Sequence, residues 1–284
     1  MNFENEHDPN YVLGRSENEE RSLQERAWFF NTATRHLLED AGITTGMKVL
    51  DIGCGAGDVT LIAADLVGPM GRVVGVDMNP AIVSTARARA NAAHVPQVSW
   101  IAGDIRNVAL DEIFDAVVGR FVLMYSADPV ASLGAALRAV RPEGIAAFHE
   151  ANMGAEFVSH PISPMHQELG RWCSETFKRG GVEMAMGTKL PQIFMAAGLE
   201  APHLTMDTVI GAGREWLERY VSAFGATHLR SYMPQTLKYG IATEDDIGVE
   251  TFDGRYLEEL LRRESVIQTF QCVGAWARKA PATS

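Results

Sequence analysis

The sequence predicts an α/β protein: a doubly wound, mostly parallel sheet with helices on both faces, capped by a helical lid drawn from the N-terminus and from insertions. Three observations predict it. Between residues 45 and 151, short apolar runs alternate with helical patterns, from "MKVLDIG" through "RVVGVD", "VSWIAGD" and "FDAVVGRFVLMY" to "GIAAFHEA". Buried parallel strands joined by crossover helices have this rhythm. The first run gives way to three glycines in "VLDIGCGAGD", the composition of a tight strand-to-helix turn. Acids then stand where successive strands end, at Asp51, Asp77 and Asp104.

Residues 1–44 read as a helical cap. "SENEERSLQERAWFFNTATRHLLEDAG" opens with Ser16 and Glu19 at capping-box spacing and carries Leu23, Ala27, Phe30, Leu37 and Leu38 at helical intervals, giving one or two helices at the mouth of the sheet. In the core, 45–151, "VTLIAADLV" follows the glycine turn as a helix. Asn79 caps the next helix and Pro80 takes its first position, where no amide donor is wasted. "RPEG" at 141–144 makes the turn into the fifth strand. Residues 152–188 and 212–262 are helical or irregular, rich in Met, His, Trp and Tyr, and read as lid insertions over a substrate. The rest of the core, 189–211 and 263–280, supplies a helix in "LPQIFMAAGLE" ending at Gly198, a strand near "HLTMDTVI" and a strand in "SVIQTFQCVGAWAR", which close the sheet edge as a hairpin.

Composition narrows the function. The chain has 284 residues, 46% of them hydrophobic, enough for a substantial core. A net charge of −11 lacks the basic excess that nucleic acid requires. Cys54, Cys173 and Cys272 show neither a CxxC pair nor metal spacing and read as reduced thiols. The N-terminus lacks the basic start and apolar core of a signal peptide, and no apolar run reaches spanning length, so the expectation is a cytoplasmic protein without a membrane partner. No metal site is expected: His160, His166 and Glu168 do not form a recognised ligand pattern.

Gly53, Gly55 and Gly57 sit where an open sheet binds its ligand. A dinucleotide site would carry GxGxxG, whereas this loop reads GxGxG between Asp51 and Asp58, two acids unfavourable beside a phosphate. A ligand that is cationic near the loop fits better. Asp77 is placed to accept from vicinal ribose hydroxyls, and Asp104 from an exocyclic amine. Met78 and Ile105 follow them and could sandwich a flat ring, with Arg120 and Phe121 on the same rim. Together these residues describe an adenosine with a positively charged tail.

"VLDIGCGAGDVTL", "VVGVDMNP", "AGDI" and "FDAVVGRFVLMY" resemble the successive motifs of class I S-adenosylmethionine-dependent methyltransferases, over about residues 45–151. The resemblance implies a Rossmann-like sheet of seven strands with the seventh reversed. It places Asp51 and Gly53 near the methionine portion of S-adenosylmethionine, Asp77 at the ribose and Asp104 at the adenine amino group, with Gly55 also in the cofactor-binding loop. "YVLGRS" at 11–16 resembles a stretch in small-molecule members in which the tyrosine, here Tyr11, closes over the cofactor.

A hydroxyl acceptor must lose a proton, and neutral histidine suits that task. His149 is the first candidate, then His160 and His166 in the insertions; His149 and Glu150 point to opposite faces of their strand. Cys54 reads as a small buried residue, and Met184, Met186, Met195 and Met233 as filling apolar space or an adaptable pocket. The acceptor is a small or medium-sized, partly apolar metabolite, methylated on oxygen, nitrogen or carbon. Two rivals stay open: a cofactor-binding enzyme that cyclises or rearranges its substrate, and a cofactor-sensing module. The missing GxGxxG discriminates against a nicotinamide dehydrogenase. The N-terminal helix and the insertions would also suit a homodimer interface.

Overall fold

The computed structural model describes residues 17–153 and 157–281, with side chains from Arg26 onward. Tyr11 and the capping box at Ser16 lie outside the described residues. The chain runs α1 (Glu17–Asp40), β1 (Lys48–Ile52), α2 (Asp58–Val67), β2 (Arg72–Asp77), α3 (Pro80–Ala92), β3 (Val98–Ala102) and β4 (Phe114–Arg120). A 3-10 turn (Leu123–Tyr125), α4 (Pro129–Arg138), β5 (Val140–Asn152), β6 (Val158–His160), α5 (Pro164–Arg179) and α6 (Met186–Ala196) follow. Then come β7 (His203–Asp207), β8 (Ile210–Gly211), α7 (Arg214–Phe224), α8 (Ala226–Lys238), α9 (Glu244–Ile247), α10 (Phe252–Arg262), β9 (Val266–Gln268) and β10 (Gln271–Arg278). None of these helices is long and apolar enough to cross a membrane.

The chain divides into two compact units. The larger comprises residues 27–152, 185–207 and 271 onward and holds a seven-stranded sheet in the order β3-β2-β1-β4-β5-β10-β7. Strands β1 to β5 pair in parallel, while β10 is antiparallel to both β5 and β7. The apolar runs are apolar because both sheet faces are covered. Val49, Val73, Val118 and Ile145 are buried in one cluster with Ile62, Ala63 and Val67 of α2. Asn79 caps α3, its side chain accepting from Ala81 N at 3.0 Å with Pro80 at the first position.

The smaller unit comprises residues 17–26, 153–184 and 208–270: helices α5 and α7 to α10, and a three-stranded sheet in the order β6-β9-β8. Its interior is aromatic, with Trp172, Phe177, Tyr220, Tyr232, Phe252 and Tyr256 all buried.

Three local expectations are corrected. "RPEG" is no turn before the fifth strand: β5 already begins at Val140, and the register jumps from Phe114↔Val140 to Ala116↔Ile145. Pro142 cannot donate to the ladder and Glu143 has φ +60°, so the stretch bulges out of a continuing strand. The apolar stretch near 203–210 is two strands, β7 in the large sheet and β8 in the small one; "SVIQTFQCVGAWAR" likewise divides into β9 and β10. Threonines mark the breaks. Thr269 N donates to Val209 O (2.8 Å), Val209 N to Thr269 Oγ1 (3.0 Å) and Thr208 Oγ1 to Thr269 O (2.9 Å). Finally, β7 and β10 close the sheet as an antiparallel pair but not as a hairpin, because residues 208–270 lie between them in the chain.

Candidate functional site

The site is built at the carboxyl ends of β1, β2, β4 and β5. After β1 the chain turns through Gly53 (φ +62°), Gly55 (φ +51°) and Gly57 (φ +89°) into α2. The outer two glycines serve packing. A Cβ on Gly53 would lie 2.3 Å from Val122 Cγ2, and one on Gly57 would lie 2.7 Å from the Trp100 ring. Gly55 differs: among the described residues a Cβ there meets nothing within 4 Å, and its backbone is left-handed.

Asp51 is 1% exposed. Its Oδ2 accepts from Thr60 Oγ1 at 2.5 Å, while Oδ1 has no hydrogen-bond partner among the described residues. Burial pushes its carboxyl up from 3.8 to about 7, against the pull of the Thr60 hydrogen bond and of Arg120. Asp58, at the start of α2, is instead neutralised: Arg89 reaches it at 2.8 Å and Arg120 at 3.9 Å, and Arg89 also donates to Ala56 O. One acid at the loop is therefore compensated and the other is not.

Asp77 ties the loop to the second strand. Its Oδ2 accepts from Gly55 N and its Oδ1 from Asn79 N, both at 2.9 Å. Gly103 N donates to Asp77 O at 2.8 Å, which brings the turn after β3 alongside. Met78 is 57% exposed and Ile105 half-buried, each just past its strand end. Asp104 stands two residues beyond β3 rather than at its end, and Arg106 engages both of its oxygens, Nε donating to Oδ1 at 3.0 Å and Nη2 to Oδ2 at 2.5 Å. That pairing, with burial opposing, holds the Asp104 carboxyl below its ordinary value.

The ends of β4 and β5 form the other half. Arg120 is largely buried, and its Nη1 donates to Asn31 Oδ1 (2.9 Å) and Thr34 Oγ1 (3.0 Å) on α1. Phe121 follows with φ +52°, its amide donating to His149 O and its ring stacked on the His149 imidazole at 6.1 Å. Glu150 holds this corner in place: Oε1 accepts from Val122 N (2.9 Å) and Leu123 N (2.8 Å), capping the 3-10 turn. Burial raises its carboxyl to about 7.

His149 lies on the opposite face of β5, 1% exposed, with Nδ1 3.0 Å from Thr34 Oγ1. The tautomer is coupled to Thr34, to which Arg120 can only donate. With the Thr34 hydroxyl donating to Phe30 O at 2.9 Å, Nδ1 of His149 is a donor and Nε2 the basic nitrogen; with it donating to Nδ1, the roles exchange. In both, Nε2 has no hydrogen-bond partner among the described residues. Burial, reinforced by Arg120, lowers the imidazole to about 3, so it is neutral in the folded protein at ordinary pH.

The other histidine candidates belong to the smaller unit. His160 ends β6, exposed, in the smaller unit. His166 is not in a loop but on α5 of that unit, fully buried, with Nδ1 2.5 Å from Tyr256 Oη. Among the described residues no group of three His, Cys, Asp or Glu side chains could hold a metal. Sequence reasoning missed Arg89, Asn31, Thr34 and the bracing role of Glu150. Only Trp100 left a trace: a bulky ring that packs over two glycines, Gly75 paired with it across the sheet and Gly57 in the loop before α2.

Residues 43–198, more than half of the chain, match a family model described as a methyltransferase domain. Among curated relatives, the chain is 32% identical over 128 residues to a 2-phytyl-1,4-naphthoquinone methyltransferase of Thermosynechococcus vestitus, covering 45% of this chain and 53% of that one. It is 33% identical over 106 residues to the aklanonic acid methyltransferase DauC of a Streptomyces species, covering 37% and 48%. The chain spans about half the length of the curated relatives it matches. Among solved structures, YcgJ of Bacillus subtilis shares the fold with a TM-score of 0.56 at 17% identity, over 88% of this chain and all of that one.

Proposed function

Because the chain belongs to the methyltransferase-domain family, with the class I Rossmann-like fold of its S-adenosylmethionine-dependent members, we propose that it transfers the methyl group of S-adenosylmethionine to a small or medium-sized metabolite. The observation that carries the reading is Asp51: a carboxylate 1% exposed, with one oxygen unpartnered, beside a loop that is sterically open at Gly55. A buried anion with a spare acceptor is costly alone and is relieved by a cation, as in the ammonium of a methionine moiety. A phosphate would raise that cost.

When bound, the cofactor supplies an activated methyl for in-line transfer. In the proposed site Asp51 Oδ1 would accept from the ammonium, and the Asp77 carboxylate, fixed by the Gly55 and Asn79 amides, would accept from ribose hydroxyls. Met78 and Ile105 would hold the adenine, and Asp104 would take its amino group where Arg106 shares or yields an oxygen. Arg120 and Phe121 wall the opposite side, Arg120 balancing the acids of the loop. In the tautomer whose Nδ1 donates to Thr34, His149 Nε2 receives the acceptor's proton. A neutral imidazole best serves acidic hydroxyls such as phenols and enols, which give up a proton most readily. The relatives named for a naphthoquinone and for aklanonic acid support a small-molecule acceptor.

Calorimetry with S-adenosylmethionine tests the reading, with Asp77→Ala as control, followed by transfer of labelled methyl to a panel of phenols, amines and active-methylene compounds. Micromolar binding that the variant loses, together with a labelled product, is the expected result. Absence of binding to the wild type overturns the proposal; binding with conversion but no label transfer points to a cyclising or rearranging enzyme.

A further inference from the structure

The outer strand β7 is unusual in being exposed almost throughout. His203, Leu204, Thr205 and Met206 are all exposed and Asp207 is half-buried; Leu204 and Met206 are 52% and 56% accessible. Among the described residues its only ladder partner is β10. The other outer strand, β3, has four of its five residues half-buried. An edge with free backbone groups and two large apolar side chains is a template for another strand unless something blunts it. Lys, Pro and bulges are the usual means, and "HLTMD" contains none of them.

The five residues are complementary to themselves. In an antiparallel pair of two such strands with the two-fold axis at Thr205, His203 lies opposite the partner's Asp207, Leu204 opposite the partner's Met206, and Thr205 opposite the partner's Thr205. Alternation puts His203, Thr205 and Asp207 on one face and Leu204 and Met206 on the other, so polar residues meet polar and apolar meet apolar. A shift of one residue would lose this match. His203 is already held in place, stacked at 4.2 Å on Trp276 of β10.

We propose that two copies of this chain associate through β7 in this register, joining their seven-stranded sheets edge to edge in an isologous dimer. The N-terminal helix and the insertions, which by sequence would also suit an interface, are not required for it.

Sedimentation over a concentration series tests the proposal with three variants, each checked by circular dichroism and cooperative unfolding for a wild-type fold. The wild type is expected to dimerise. Leu204→Lys with Met206→Lys sets like charges opposite each other at two points and is expected to be monomeric. Leu204→Lys with Met206→Glu sets opposite charges there and is expected to dimerise again, which a merely sticky patch would not do. Thr205→Cys is expected to form a symmetric intermolecular disulfide with oxidised glutathione, since Cys54, Cys173 and Cys272 are buried. A monomeric wild type, a dimer that survives the double lysine change, a folded Lys/Glu variant that stays monomeric, or failure of the Thr205→Cys cross-link each overturns it.

Discussion

Replacing Asp51 by Asn is expected to stabilise the ligand-free protein at alkaline pH while removing tight cofactor binding. The carboxyl rises from 3.8 to about 7 on burial. A carboxyl whose folded value exceeds its unfolded one favours the folded state most at low pH. Between about pH 4 and pH 7 the unfolded chain has given up a proton that the folded chain keeps, so stability falls through that window and is level above it. About three pH units at about 1.4 kcal/mol each make the full cost about 4 kcal/mol. Asn keeps an oxygen for Thr60 but has no proton to lose. The advantage of the variant over wild type should therefore grow by about 3 kcal/mol between about pH 5 and pH 8, the two pH units of that window being worth about 1.4 kcal/mol each. Glu150, also raised to about 7, is present in both proteins and cancels in the comparison. Urea titrations at several pH values measure the difference directly. Calorimetry supplies a second reading: below pH 7 the wild type should release close to one proton on binding S-adenosylmethionine, seen in buffers of different ionisation heat, and above it none. Parallel stability curves for the two proteins, or binding without proton release at low pH, would refute the reasoning.

The two loop glycines should separate packing from access: Gly53→Ala meets Val122 at 2.3 Å with φ +62° and is expected to cost about 3 kcal/mol or more. Gly55→Ala meets nothing and is expected to lose only about 1 kcal/mol of backbone strain, yet to weaken cofactor binding at least about tenfold in calorimetry. Glu150→Leu orphans the amides of Val122 and Leu123, and a loss of about 2–4 kcal/mol is expected by chemical denaturation. His149→Asn should lower transfer to a hydroxyl acceptor by about a hundredfold with cofactor affinity unchanged, and Thr34→Val, which removes the tether on Nδ1, should follow it in kcat rather than KM. Because burial holds His149 near 3, the activity of the wild type should show no titration of this group at neutral pH.

The parallel core was legible because β1, β2, β4 and β5 are largely buried and alternate with the helices α2, α3 and α4, so that local pattern and tertiary environment agree; β3, half-buried and followed by a loop, was legible from its apolar run alone. The positions of Asp51 and Asp77 in the last residues of β1 and β2 were legible from the apolar runs that precede them, whereas Asp104 falls beyond the end of β3. What could not be read was anything decided between distant segments. Nothing around Asp58 announces Arg89, which arrives from the next helix. Asp104 and Arg106 are neighbours in sequence, but alternation alone does not tell that they pair. The smaller sheet was missed because β8 and β9, two and three residues long, continue apolar runs that belong to the larger one, and only threonine hydrogen bonds mark where the chain changes sheets.

The position of β10 also bears on how this chain can be made. It is the last of the seven strands to be synthesised, yet it lies inside the sheet, and β7 has no ladder partner until it arrives. A nascent chain stalled before residue 271 holds five strands in order, with the side of β5 unfilled and β7 unattached. The sheet is completed only after the ribosome has delivered residues 271–278, and a deletion at that end removes two strands rather than one.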